Sequence, residues 1–304
     1  MDTPLFEMQS KIKALAKARN AIILAHNYQP PEIQDLADLC GDSLELSRKA
    51  AQTDADVIVF CGVHFMAETA SILSPDKVVL LPNPKAGCLM ADMITAEALQ
   101  LKIDSLPPMP VVTYVNSTAD VKALSTVCCT SANVVKVVNS LAADEMLLTP
   151  DRNLAQYAAA RTGKKIHYWD GYCPTHEWLT VEDVQQARAE HPKAVFIAHP
   201  ECRPEIVSLA DVVASTSGML RHAAQAKERE FIIGTETGLL YPLRRANPDK
   251  QFYPAAAKMT CKNMKKIKLA DVLRSLETMS GEVKVSEEIR VPALRAVEKM
   301  IAIV

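Results

Sequence analysis

Short apolar, β-branched runs recur along the chain in a fixed register. One starts at Ala21 (A-I-I-L-A-H-N-Y), one at Pro110 (P-V-V-T-Y-V-N-S) and one at Ala194 (A-V-F-I-A-H-P-E). Each is apolar throughout and turns polar at its end, the pattern of a strand buried on both faces of a parallel sheet. The segments Leu36 to Ser43, Leu124 to Ser131 and Leu209 to Thr216 then align without a gap, each a second short strand followed by a helix start. A third strand follows at Val57, Met146 and Phe231, and a fourth at V-V-L-L-P, K-I-H-Y-W and Q-F-Y-P. Each unit ends in a cysteine, at Cys88, Cys173 and Cys261, and an amphipathic helix then leads into the next unit. A helix near Gln9 to Ala18 precedes the first unit, and a strand (E-V-K-V) and a helix from Val291 to Ile303 close the chain. Alternating strands and helices imply βαβ crossovers. The prediction is α/β: three homologous three-layer αβα domains with small parallel sheets around a pseudo-threefold axis. They span residues 1–109, 110–193 and 194–281, with 282–304 packing near the first.

Register also aligns the chemistry. His26, Tyr114 and His199 share one repeat position at strand ends, followed two residues later by Tyr28, Asn116 and Glu201. Ligands bind at the carboxyl ends of such sheets, so equivalent residues would face one another across the axis. Ser43, Ser131 and Thr216 precede helices, where a hydroxyl caps the helix and exposed N–H groups attract anions. Glu201 is the leading general base, and histidine or tyrosine beside it suits proton transfer or carboxylate binding. The three terminal cysteines lie 85 and 88 residues apart. Converging on an axis, they would make a trigonal metal site with an open position. Zinc with three protein ligands and a [4Fe–4S] cube both fit, and the lack of C-x-x-C pairing around these cysteines favours the cube. Cys40, Cys61, Cys128 and Cys129 read as space-filling thiols, and Cys202 as a lesser candidate for substrate contact.

Composition narrows the picture. The 304 residues are 49% hydrophobic with a formal net charge of −2, so no basic field points to nucleic acid or to an anionic membrane. No glycine-rich nucleotide loop, signal peptide or membrane-length apolar run occurs, so a cytoplasmic setting with reduced thiols is expected. A mononuclear zinc hydrolase and a non-enzymatic iron–sulfur protein remain alternatives, although a carrier has no use for a convergent set of His, Tyr, Ser and Glu.

The strings A-H-N-Y-Q (25–29), G-D-S-L (41–44), F-M-A-E (65–68), Y-V-N-S-T (114–118), T-S-A-N (130–133), P-D-R-N-L (150–154), H-P-E-C (199–202), S-T-S-G (215–218) and G-T-E (234–236) resemble the quinolinate synthase family. The resemblance runs from about residue 8 to 300. It implies a [4Fe–4S] cluster on Cys88, Cys173 and Cys261. It implies condensation of iminoaspartate with dihydroxyacetone phosphate to quinolinate, phosphate and two waters, a step of NAD biosynthesis. It places His26, Ser43, Tyr114, Asn116, Ser131, His199, Glu201 and Thr216 against substrate, with Tyr28 close by. Tyr28, Tyr114, His199 and Glu201 are then the catalytic candidates. An enzyme that supplies the unstable iminoaspartate would be a functional partner. One departure concerns Cys261, followed here by Lys262, Asn263 and Met264, whereas some members carry a C-x-x-C pattern there.

Overall fold

The computed structural model describes residues 3–303; the outermost residues of the expected boundaries, Met1, Asp2 and Val304, lie outside it. The apolar runs form β1 (Ala21–His26), β2 (Leu39–Gly41), β3 (Val57–Cys61) and β4 (Val78–Leu80) in the first sheet. The second sheet holds β5 (Val111–Tyr114), β6 (Val127–Cys129), β7 (Glu145–Thr149) and β8 (Lys165–Tyr168). The third holds β9 (Val195–Ala198), β10 (Val212–Val213), β11 (Glu230–Gly234) and β12 (Gln251–Pro254). Each sheet repeats one order, with the second strand at one edge, then the first, third and fourth. Every pairing within them is parallel, from Leu24 opposite Leu39 to Ile233 opposite Pro254.

This order explains why the strand ends carry the polar residues. Crossovers leave the first strand of each sheet in one direction and the third in the other, which opens a crevice at their carboxyl ends. The central strands are buried on both faces: Ile23, Leu24, Ile58, Val59, Val112, Leu148, Phe196 and Ile232 are almost wholly shielded from solvent. Burying one such side chain contributes about 1.5–3 kcal/mol, so strand position is fixed by the apolar runs themselves.

Two expectations change at the ends of elements. Ser43 and Thr216 are the first residues of the helices Ser43–Gln52 and Thr216–Gln225, not their caps. Asp42 caps the former, accepting the N–H groups of Leu44 and Glu45, and Ser215 caps the latter, accepting that of Gly218. Ser131 lies in the turn before the helix Val134–Ser140, where Asn133 Oδ1 instead accepts the Thr130 N–H at 2.8 Å. All three hydroxyls are therefore released from capping. The expected strand E-V-K-V makes an isolated antiparallel bridge, Glu282 to Leu80. Its chain turns at Gly281 (φ 85°), where a Cβ would come within 2.4 Å of the Leu81 carbonyl oxygen, and the β4 edge offers only three residues. The last helix, Glu287–Ala302, packs against the helices His64–Leu73 and Ala119–Ala123 and against β6, joining the first two sheets. Among the described residues, no helix is long and apolar enough to cross a membrane.

Candidate active site

All twelve side chains singled out by the repeat and the family resemblance line one cavity of about 350 Å³. His26, Tyr114 and His199 reach it from the ends of β1, β5 and β9, and Tyr28, Asn116 and Glu201 from the turns that follow. Ser43, Ser131 and Thr216 face it from the second crossovers, and Cys88, Cys173 and Cys261 from the loops after the fourth strands. Cys202 is fully buried, donates its thiol to the Gly234 carbonyl (3.4 Å) and does not line this cavity. Cys61, Cys128 and Cys129 are buried core thiols, as their positions suggested, and Cys40 is half-buried with its thiol on the Gln34 carbonyl (3.3 Å).

Glu201 is the electrostatic centre. Its Oε2 lies 2.6 Å from His176 Nδ1 and 3.5 Å from His199 Nδ1, with the three side chains 1–4% exposed. Asn116 Nδ2 reaches its Oε1 at 3.5 Å. Burial alone would raise the Glu201 pKa, but His176 and His199 beside it, with Tyr114, hold it down at about 2. Burial pushes His26 and His199 down to about 3, so both rings are neutral near pH 7. Burial, with the Glu201 charge, pushes the Tyr28 and Tyr114 hydroxyls well above their usual value, so both stay protonated donors. The Asn116 Oδ1 is buried without a hydrogen-bond partner, an atom left for something that enters the cavity.

A second chain of contacts was not legible beforehand. The Tyr28 hydroxyl lies 2.5 Å from Thr235 Oγ1, which lies 2.8 Å from His176 Nε2. His176 escaped notice because it has no repeat partner: the third residue after each cysteine is Ala91, His176 and Met264. Its ring stacks on His199 with centroids 4.6 Å apart. Glu236 closes the G-T-E string and aligns with Asp151 after the third strand, but neither string nor alignment assigns it a role at the site. It is fully buried, accepts the Cys261 N–H (3.1 Å) and the Gly238 N–H (2.8 Å), and pairs with Lys265 at 2.9 Å. Lys265 also donates to the Tyr28 carbonyl, tying the cysteine loop to the turn after β1. Lys262 and Lys266 also line the cavity and add positive charge to it.

The three cysteines share a local design. Burial raises each thiol, Cys88 to about 12, Cys173 well above its usual value and Cys261 in the same direction. Backbone N–H groups work against this: Met90 and Ala91 at Cys88, His176 at Cys173, and Asn263 and Met264 at Cys261. At each cysteine the N–H groups of the residues that follow thus favour the thiolate against the effect of burial. Three such sulfurs around one cavity suit a cationic metal centre. Among the described residues, however, the three-residue group whose donor atoms all lie within 4.8 Å of one another is Cys173, His176 and Glu201.

Three α/β units that pool imidazoles, phenols, a low-pKa carboxylate and thiols in one buried cavity define an enzyme whose site belongs to no single unit. The family model described as Quinolinate synthetase A protein matches residues 10–302, and the chain belongs to that family. It is 56% identical to the quinolinate synthase of Geobacter sp. (strain M21), over 97% of each chain. It is 57% identical to that of Geotalea uraniireducens (strain Rf4), over 98% of each, and 52% identical to quinolinate synthase 1 of Methanosarcina acetivorans, again over 98% of each.

Proposed function

We propose that the chain condenses iminoaspartate with dihydroxyacetone phosphate in this cavity, giving quinolinate, phosphate and two waters, with a [4Fe–4S] cluster held by Cys88, Cys173 and Cys261. The observation that carries the reading is the convergence of those three thiols and nine polar side chains on one cavity. Three sulfurs on a single zinc at 2.3 Å would stand about 3.8 Å apart. Among the described residues the cysteines are not a group within 4.8 Å, which supports a larger, polynuclear occupant. With three protein ligands, the cluster when bound would supply an open iron acting as a Lewis acid toward substrate oxygen.

The protein's own groups take the remaining roles. Glu201 is ionised at neutral pH and accepts the proton that carbon–carbon bond formation must remove. Tyr114 and Tyr28 remain phenols and donate to leaving hydroxyls. Thr235 and His176 behind Tyr28 form a path along which its proton is replaced. His26 and His199, neutral through burial, hold substrate carboxylates by hydrogen bonds rather than by charge. The N-terminal turns that begin at Ser43 and Thr216 and the lysines 262 and 266 favour the anionic ends of both substrates. The test is an anaerobic assay with both substrates on iron- and sulfide-reconstituted chain. Quinolinate should form, and Cys173→Ser should lose both iron and product; full iron and sulfide in that variant would remove the ligand assignment.

A further inference from the structure

We propose that in the cluster-free chain Cys173, His176 and Glu201 form a binding site for a divalent cation of the zinc class, separate from the three-cysteine set. Their donor atoms lie within 4.8 Å of one another, and His176 and Glu201 are almost completely buried. One sulfur, one imidazole nitrogen and one carboxylate oxygen suit zinc or cobalt, whereas magnesium and calcium favour oxygen alone.

Backbone geometry explains the grouping. Cys173 immediately precedes the turn Pro174–Glu177, and His176 sits on that turn, its N–H accepted by the Cys173 carbonyl at 3.1 Å. Glu201 arrives from the turn after β9. The independent observation is the orientation of His176. Its Nδ1 is buried and 2.6 Å from Glu201 Oε2, yet it makes no hydrogen bond of acceptable direction. Thr235 Oγ1 holds Nε2 at 2.8 Å. When Nε2 carries the proton and donates it to Thr235, the buried Nδ1 keeps a lone pair free to bind a cation, with Glu201 beside it to supply the carboxylate oxygen. Thr235 then acts as the outer partner that fixes the tautomer of a ligating histidine.

Binding needs no electron transfer: the cation replaces the Cys173 thiol proton, which leaves to solvent, and bonds form to sulfur, nitrogen and oxygen. The site also shares Cys173 with the proposed cluster. Zinc bound here would therefore exclude the cluster, a consequence that rests on the ligand set proposed above.

The experiment uses the reduced, iron-free full chain titrated with Co²⁺, read by thiolate-to-cobalt charge-transfer absorption, and with Zn²⁺ in competition. Wild type, Cys88→Ser and Cys261→Ser should bind one cobalt per chain with the thiolate band. Cys173→Ser should lose the band. His176→Gln and Glu201→Gln should bind at least about 100-fold more weakly, and Thr235→Val about tenfold. Circular dichroism checks that each variant is folded, and the Cys88→Ser arm decides the donor set even if a His176 variant is not. Absence of a thiolate band in wild type would overturn the site. So would its loss in Cys88→Ser, which would place the ion on the three cysteines. Iron content of reconstituted Cys88→Ser reads the cluster assignment separately. Zinc-preloaded wild type should fail to take up iron; normal uptake would overturn the exclusion.

Discussion

Replacing Lys265 by methionine removes the cation that neutralises a buried carboxylate. Glu236 is fully shielded, and its oxygens lie 2.9 and 3.0 Å from the Lys265 ammonium, itself about a quarter exposed. At an effective dielectric near 20, that contact is worth about 6 kcal/mol before the solvation lysine regains on unfolding. Breaking a buried pair costs about 3–5 kcal/mol, and the partial exposure of Lys265 places this one near 3. The pH dependence is the sharper signature. Burial raises the Glu236 pKa, while Lys265 pulls it down, so the variant carboxyl should rise further. Between the unfolded value near 4.5 and the raised folded value, the folded chain binds the extra proton. Stability should therefore fall as pH rises through that window. Urea unfolding followed by circular dichroism should show Lys265→Met about 3 kcal/mol less stable than wild type at pH 8, and closer to wild type at pH 5. A loss below about 0.5 kcal/mol at pH 8, or a larger loss at pH 5, would refute the pairing argument.

Glu201→Gln should lower turnover by about 100-fold or more while leaving the reconstituted cluster absorbance unchanged; near-normal turnover would remove the base assignment. His26 and His199, held neutral to about pH 3, oppose acid. The unfolded chain protonates each below about 6.5 where the folded chain does not, so stability should fall by about 1.4 kcal/mol per pH unit for each between pH 6 and 4. His26→Gln should make that slope shallower, and an unchanged slope in denaturation midpoints would count against buried neutral imidazole. Asp42→Ala removes the cap that accepts from Leu44 and Glu45, and also the acceptor of the Ser215 hydroxyl at 3.1 Å. It should cost about 1–2 kcal/mol in urea unfolding.

Much of the fold was legible because its signals are local and repeated. The apolar runs at Ala21, Val111 and Val195 can be satisfied only as buried strands, and their shared register placed His26, Tyr114 and His199 at equivalent ends. Family resemblance and repeat then selected the same cavity lining. Repetition was also the limit. His176 and Thr235 occupy repeat positions whose counterparts have unrelated chemistry, so periodicity could not single them out. The Glu236–Lys265 pair joins a strand end to a loop 29 residues on, a contact set by packing rather than spacing. Capping was displaced by one residue because Asp42 and Ser215 take the extended conformation that a cap needs, which moves Ser43 and Thr216 into the first turn. The strand expected at Glu282 failed because an alternating apolar pattern cannot create a partner edge longer than β4 provides.

The proposed activity is tested most directly by mixing iminoaspartate and dihydroxyacetone phosphate anaerobically with reconstituted chain and, in parallel, with cluster-free chain. Quinolinate and phosphate in equal amounts from the reconstituted sample alone are the expected result. Equal turnover without iron, or none from a fully reconstituted sample, would contradict it.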